Sequence, residues 1–147
     1  MVTIIPSYMY SIFAALVVGT ILVSSCTLLM VNIRNEAVHQ QLANVDEYVA
    51  TQSLILITHS AQSGQNATQF LALPSQIGNR EYWISIANDS VNVWVGSGLG
   101  STVIQNQTEI SIPADVAASG VYVSGWGRPM LLCEFQNQTV TLTLTSE

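Results

Sequence analysis

Three residues in the first half of the chain and one near its end have side chains that could do chemistry. Glu36 and His39 are three residues apart, which is half of the ligand pattern of di-iron helix bundles. That chemistry needs the pattern on two helices, and the chain has it once. His59 and Cys133 could form a thiol–imidazole pair only if the fold brought them together, and buried cysteines are more common. We therefore expect a protein that is not an enzyme, without a metal or cofactor.

A glycine-rich segment, Gly96-Ser-Gly98-Leu-Gly100, has part of the spacing of a dinucleotide-binding loop. Such a loop works because it points the N-terminus of a helix at a pyrophosphate. Here the next residues, Ser-Thr-Val-Ile, favour a strand. The segment is therefore interpreted as the glycine-rich end of a β-hairpin.

Four N-glycosylation sequons, Asn-x-Ser/Thr, occur in the second half of the chain. They begin at Asn66, Asn88, Asn106 and Asn137. Residues 61–147 contain six Asn and 17 Ser or Thr, a composition that gives about one sequon by chance. Chance matches in a polar composition stay an alternative. If the sequons carry N-linked glycans, everything after the first apolar segment faces the cell exterior.

Charged residues are few. The chain has three Arg, no Lys and nine Asp or Glu, for a net charge of −6. Nucleic-acid binding needs clustered cations for the phosphates, so no direct nucleic-acid partner is expected. A polybasic membrane-surface binder is excluded for the same reason.

The first 33 residues contain no charged side chain, and Tyr8–Val31 forms an apolar run of 24 residues. A helix of this length extends about 36 Å, enough to cross a bilayer. A cleaved signal peptide is the competing interpretation, but the run is long for one and no basic segment precedes it. A buried core helix is disfavoured because no second helix of similar apolarity could cover it. We expect this helix to be surrounded by lipid or by copies of itself.

The helical pattern continues as an amphipathic segment, and no Gly or Pro occurs from Arg34 to Gly64. Polar residues, Asp46 among them, fill the positions between the apolar ones. Gly64 is expected to cap a helix running from Pro6 to Gln62. Its apolar stripe, which is expected to pack against the following domain, consists of Val38, Leu42, Val45, Val49 and Leu56.

After the helix the pattern changes to short β-rich runs separated by turn residues. The fold class predicted is α+β: a long N-terminal hydrophobic helix followed by a small antiparallel β-sandwich. Residues 1–63 form the helical part, with an apolar half 6–33 and an amphipathic half 34–63, and residues 64–147 form the β-rich domain. The expected strands are Tyr82–Ala87, Val91–Val95, Thr102–Ile104, Thr108–Ile112, Val121–Ser124, Met130–Phe135 and Thr139–Thr145.

The combination of a charge-free helix, an amphipathic continuation and a Thr/Ser/Asn-rich β-domain with sequons resembles archaeal type IV pilins and archaellins. The resemblance implies a membrane-inserted precursor that assembles with itself, helix to helix, into an extracellular filament. It implies a glycosylated outer sheath formed by Phe70–Glu147 and a role in adhesion. No acidic residue occurs near the start, unlike in bacterial type IV pilins. The filament core implied by the resemblance consists of Ile12, Phe13, Leu16, Val17, Ile21, Leu22, Leu28 and Leu29.

Two other functions fit the same pattern. The chain could be a single-pass surface protein whose β-domain binds a partner, or a minor pilin or accessory subunit of the archaellum. The heptad-like stripe after the apolar helix, and the lack of a flexible stalk, favour the filament subunit. Cys26 lies in the apolar helix and Cys133 in a strand, so a disulfide between them is not expected.

Overall fold

The computed structural model describes residues 4–88, 92–101, 106–111, 116–136 and 139–147. One helix is followed by seven strands. Their bounds are α1 Ile4–Ser63, β1 Ala67–Phe70, β2 Tyr82–Asn88, β3 Asn92–Leu99, β4 Asn106–Ser111, β5 Val116–Val123, β6 Pro129–Gln136 and β7 Thr139–Ser146.

Helix α1 begins and ends close to the predicted positions. Pro6 lies in its first turn, where a residue without an N–H group costs no hydrogen bond. Gly64 follows the last helical residue with φ +64°, and its N–H donates to the carbonyl of Ser60 at 2.9 Å. A left-handed glycine bonded back to the last turn is a C-terminal cap, so the predicted role of Gly64 is confirmed.

The strands form one sheet in the order β1-β6-β7-β5-β2-β3-β4. All neighbours are antiparallel except β5 and β7, which are parallel. The predicted α+β class, with a long N-terminal helix ahead of the β-domain, is confirmed. The strands differ from the expected sandwich in belonging to a single sheet, and the layer that covers its buried face is the helix.

The hydrophobic core lies between α1 and one face of the sheet. Strand β2 shows the pattern, since Tyr82, Ile84 and Ile86 are buried while the residues between them are half-buried. The Tyr82 hydroxyl donates to the carbonyl of Pro74 at 2.6 Å, and burial raises the pKa of Tyr82. In the apolar stripe, Val38 is half-buried against the core, and the buried members are Leu42, Val45, Val49 and Leu56.

The chain divides into two compact units, and the boundary in the sequence falls between Ala37 and Val38. The first contains the apolar part of α1. The second contains the amphipathic part of α1 together with the whole sheet. The boundary predicted from the sequence lies after residue 63. The amphipathic half of α1 groups with the sheet because its stripe forms part of the same core.

The hairpin predicted between β2 and β3 is present, with Ile86 opposite Val95 and Trp83 opposite Gly98. Strands β4, β5, β6 and β7 overlap the predicted runs, and β5 begins five residues earlier than predicted. Strand β1, which pairs with β6, was not predicted. The predicted run Thr102–Ile104 lies outside the described residues.

Candidate functional sites on the helix and the sheet

The apolar half of α1 presents a continuous hydrophobic surface. The most apolar part of Tyr8–Ser63 has a mean hydropathy of 2.3 and is long enough to cross a membrane by length and composition. None of that part is buried within the chain. The eight residues of the implied filament core are all exposed, between 42% and 68%: Ile12, Phe13, Leu16, Val17, Ile21, Leu22, Leu28 and Leu29.

Hydroxyl side chains within this apolar half bond to the helix itself. Thr20 donates to the carbonyl of Val17 at 2.8 Å, and Ser25 donates to that of Ile21 at the same distance. Thr27 likewise donates to a carbonyl four residues before it. These hydroxyls therefore need no outside partner when the helix enters an apolar environment.

The face of α1 that packs on the sheet carries a row of polar residues that the sequence analysis missed. Asp46, Ser53 and Ser60 are each 0% exposed and are seven residues apart. Asp46 was expected on the polar side of the helix, and that expectation was wrong. Its spacing with the two serines was the available signal, because seven residues are two helical turns and place all three beside the apolar stripe.

Asp46 is the buried acid of this interface. Its Oδ2 accepts a hydrogen bond from the Ser97 hydroxyl of β3 at 2.9 Å, while its Oδ1 has no partner among the described residues. Burial raises the pKa of Asp46 to about 6, and the side chains of Ser97 and Asn106 partly oppose that rise. The carboxyl thus exchanges its proton near neutral pH, well above the range of an exposed aspartate.

The two serines continue the row toward the other edge of the sheet. The hydroxyl oxygens of Ser53 and Ser60 have no hydrogen-bond partner among the described residues. Ser60 lies near the thiol of Cys133. Burial raises the pKa of that thiol, and the Ser60 side chain partly opposes the rise. Cys133 is fully buried and reduced, and Cys26 is exposed and reduced, so no disulfide joins them.

The sequons differ in their surroundings. Asn66 is exposed, and its Oδ1 accepts a hydrogen bond from the Phe135 N–H at 2.9 Å, a bond that does not use the glycan-accepting Nδ2. Asn88 is also exposed, and its Nδ2 donates to the carbonyl of Val116 at 3.2 Å. Asn106 is half-buried, with its side chain at the Asp46 carboxyl. Asn137 lies outside the described residues.

The side chains first considered for catalysis are not brought together. His59 is exposed whereas Cys133 is fully buried, so they form no pair. Glu36 and His39 are both exposed. Within the described ranges, no three His, Cys, Asp or Glu side chains lie close enough to hold a metal ion. Gly96 and Gly98 lie within β3, and neither precedes a helix.

The layout of a long apolar N-terminal helix followed by a β-sheet is compatible with that of type IV pilins. Comparison with protein-family models, with curated proteins and with solved structures finds no match to this chain. The function is therefore inferred from the exposed apolar helix and from the sheet it precedes.

Proposed function

We propose that this chain is the structural subunit of an extracellular archaeal type IV pilus-like filament. The observation that carries the proposal is the uncharged apolar half of α1, whose large side chains are exposed all around the helix. Such a helix leaves lipid for water only if other apolar surfaces cover it. Identical helices from neighbouring subunits provide that cover in a filament.

The energy available from this packing is large. Complete burial of a Leu, Ile, Val or Phe side chain stabilises by about 1.5–3 kcal/mol. For the eight residues of the implied filament core, the upper bound is about 10–20 kcal/mol per subunit. Contacts of this size favour a filament that does not exchange subunits with solution.

The rest of the chain fits the outside of such a filament. The second unit has its own hydrophobic core, which contains no residue of the first unit. The exposed Asn66 and Asn88 sequons belong to this unit and suit a glycosylated surface. We place the precursor in the cytoplasmic membrane and the assembled subunit at the cell surface, with adhesion as its role.

A single-pass anchor is the second candidate, because the same helix is long and apolar enough to cross a bilayer. In that case the β-domain would be a binding module held at the membrane. Subunits of a minor pilus or of the archaellum would share the helix and differ only in abundance and location.

The experiment is electron microscopy of filaments sheared from the native cells, with mass spectrometry of their subunits. We expect this chain to be the major subunit and its N-terminal helices to form the filament core. A chain that stays in the membrane fraction as a monomer would overturn the filament and favour the anchor. Presence in filaments at a small fraction of the major subunit would instead indicate a minor pilin.

A further inference from the structure

The fully buried Asp46 lies where α1 packs under one end of the sheet. Its partner Ser97 belongs to β3, and the approaching Asn106 is the first residue of β4. Strand β4 is the edge of the sheet and pairs only with β3 in the described topology. The carboxyl therefore lies where the helix meets one edge of the sheet.

The surroundings of Asp46 suit a neutral carboxyl better than an ionised one. One turn away on α1 lie Leu42, Val49 and Ala50, all buried and apolar. From the sheet, the groups acting on the carboxyl are the uncharged side chains of Ser97 and Asn106.

Among the described residues, no cation compensates a negative charge on the Asp46 carboxyl. Within the described residues, no Arg or His acts on the Asp46 carboxyl. The nearest acid in sequence, Glu47, is exposed. A buried carboxylate whose Oδ1 has no partner is costly even beside Ser97 and Asn106, because its lost hydration is only partly replaced.

We propose that the contact between α1 and the β3–β4 edge is a pH-dependent latch, closed while the Asp46 carboxyl is neutral and weakened when that carboxyl loses its proton. The latch opens by local separation of β4 and the end of β3 from the helix, which returns the carboxylate to water. The remainder of the sheet stays on the helix through the apolar core.

The direction of the pH dependence follows from the two protonation equilibria. An exposed aspartate has a pKa of 3.8, and the buried Asp46 has a pKa of about 6. The open form therefore ionises at a lower pH than the closed form. The ratio of open to closed forms rises as the pH increases from 4 to 6, and it becomes nearly constant above that. From pH 4 to pH 7 the ratio of open to closed forms rises by about 50-fold.

Hydrogen exchange of the full chain at pH 4 and pH 7, corrected for intrinsic rates, tests the latch. We expect peptides covering β4 to lose protection by about 50-fold, while peptides covering β6 and β7 keep theirs. The Asp46→Asn variant should show at pH 7 the protection that the unmodified chain shows at pH 4. Equal protection of β4 at both pH values in the unmodified chain would overturn the proposal.

Glu47→Gln provides the matched control, because it removes an exposed acid from the same helical turn. It should keep the full pH dependence; loss of that dependence in Glu47→Gln would also overturn the proposal. Carbon-13 NMR of the Asp46 carboxyl in the unmodified chain gives a test that needs no folded variant. Titration of that carboxyl near pH 6 supports the latch, and titration below pH 4.5 refutes it.

Discussion

The indole ring of Trp83 on β2 lies directly over Gly98 on β3. The two residues are opposite each other in the antiparallel register. A Cβ atom added at Gly98 would come within 2.6 Å of the ring carbon Cζ2, closer than real Cβ contacts. The glycine in the middle of the Gly96–Gly100 segment is thus required by an aromatic neighbour and not by a bound phosphate.

Gly98→Ala should lower the free energy of unfolding by about 1–3 kcal/mol, because the ring must move or the strands must separate. Denaturant unfolding followed by tryptophan fluorescence measures the change. In a Trp83→Leu background, Gly98→Ala should lower the free energy of unfolding by much less. An equal cost in both backgrounds would show that the ring is not the obstacle.

Ser53→Ala should raise the free energy of unfolding by about 0.5–1 kcal/mol. The substitution removes a buried hydroxyl that has no partner and replaces it by a better helix former. Thr51→Ala is the control, because Thr51 is exposed on the same helix and reports helix propensity alone. A destabilised Ser53→Ala chain would instead indicate that a bound water satisfies the hydroxyl.

Ser97→Ala removes the hydroxyl that donates to Asp46. At pH 7, where the carboxyl is mostly ionised, the loss should be about 1.5–3 kcal/mol, typical of a bond to a charged group. At pH 4 the carboxyl is neutral and the loss should fall to about 0.5–1.5 kcal/mol. Measurements of the free energy of unfolding at the two pH values test this, and Ser85→Ala on β2 is the control. A loss of free energy that is no larger at pH 7 than at pH 4 would contradict the hydrogen bond between Ser97 and Asp46.

Glycopeptide mass spectrometry of the protein from its native cells should find Asn66 modified and Asn106 unmodified. Asn66 is exposed and its hydrogen bond to Phe135 uses Oδ1 and not Nδ2, whereas the half-buried Asn106 side chain acts on a fully buried carboxyl. Asn66→Gln should remove one glycan mass without unfolding the chain. A glycan found on Asn106 would mean that this side chain does not approach Asp46 in the mature protein.

The two cysteines should differ in their reaction with maleimide. Cys133 is fully buried with a raised pKa, so it should stay unlabelled in the folded chain. Cys26 lies in the apolar half of α1 and is exposed in the single chain, so it should react with a membrane-permeant maleimide in detergent. If the proposed filament is right, Cys26 becomes protected from maleimide on assembly. The Cys26→Ser variant controls for label at other sites. Equal labelling of Cys26 in filaments and in detergent would argue against a helical core.

Much of the fold could be predicted because hydrophobic periodicity is a local property. A long uncharged apolar run identified the first half of α1, a heptad-like stripe identified its second half, and alternation in segments such as Thr139–Thr145 identified strands. The number of sheets could not be predicted, because alternation shows that one face of a strand is buried but not what covers it. Here the cover is the stripe that includes Leu42 and Val49.

The buried row on α1 was missed for a different reason. Asp46 was assigned to the solvent-exposed face of α1 by its residue type, since acidic residues are rarely fully buried. Its burial depends on Ser97, which is 51 residues away in sequence and across the helix–sheet contact. The approach of Asn106 to the same carboxyl is equally non-local, so the sequon motif alone gave no reason to separate Asn106 from Asn66.

The parallel pairing of β5 with β7 has a consequence for how the domain is made. Strand β7 follows the other six strands in the chain but lies between β6 and β5, in the interior of the sheet. Until it arrives, β1 can pair with β6, and β5, β2, β3 and β4 can pair in that order, but no strand of the described topology joins the two groups. The two groups therefore become one sheet only after β7 has been synthesised and, in a secreted subunit, has crossed the membrane, which makes β7 the last of the seven described strands that the sheet needs.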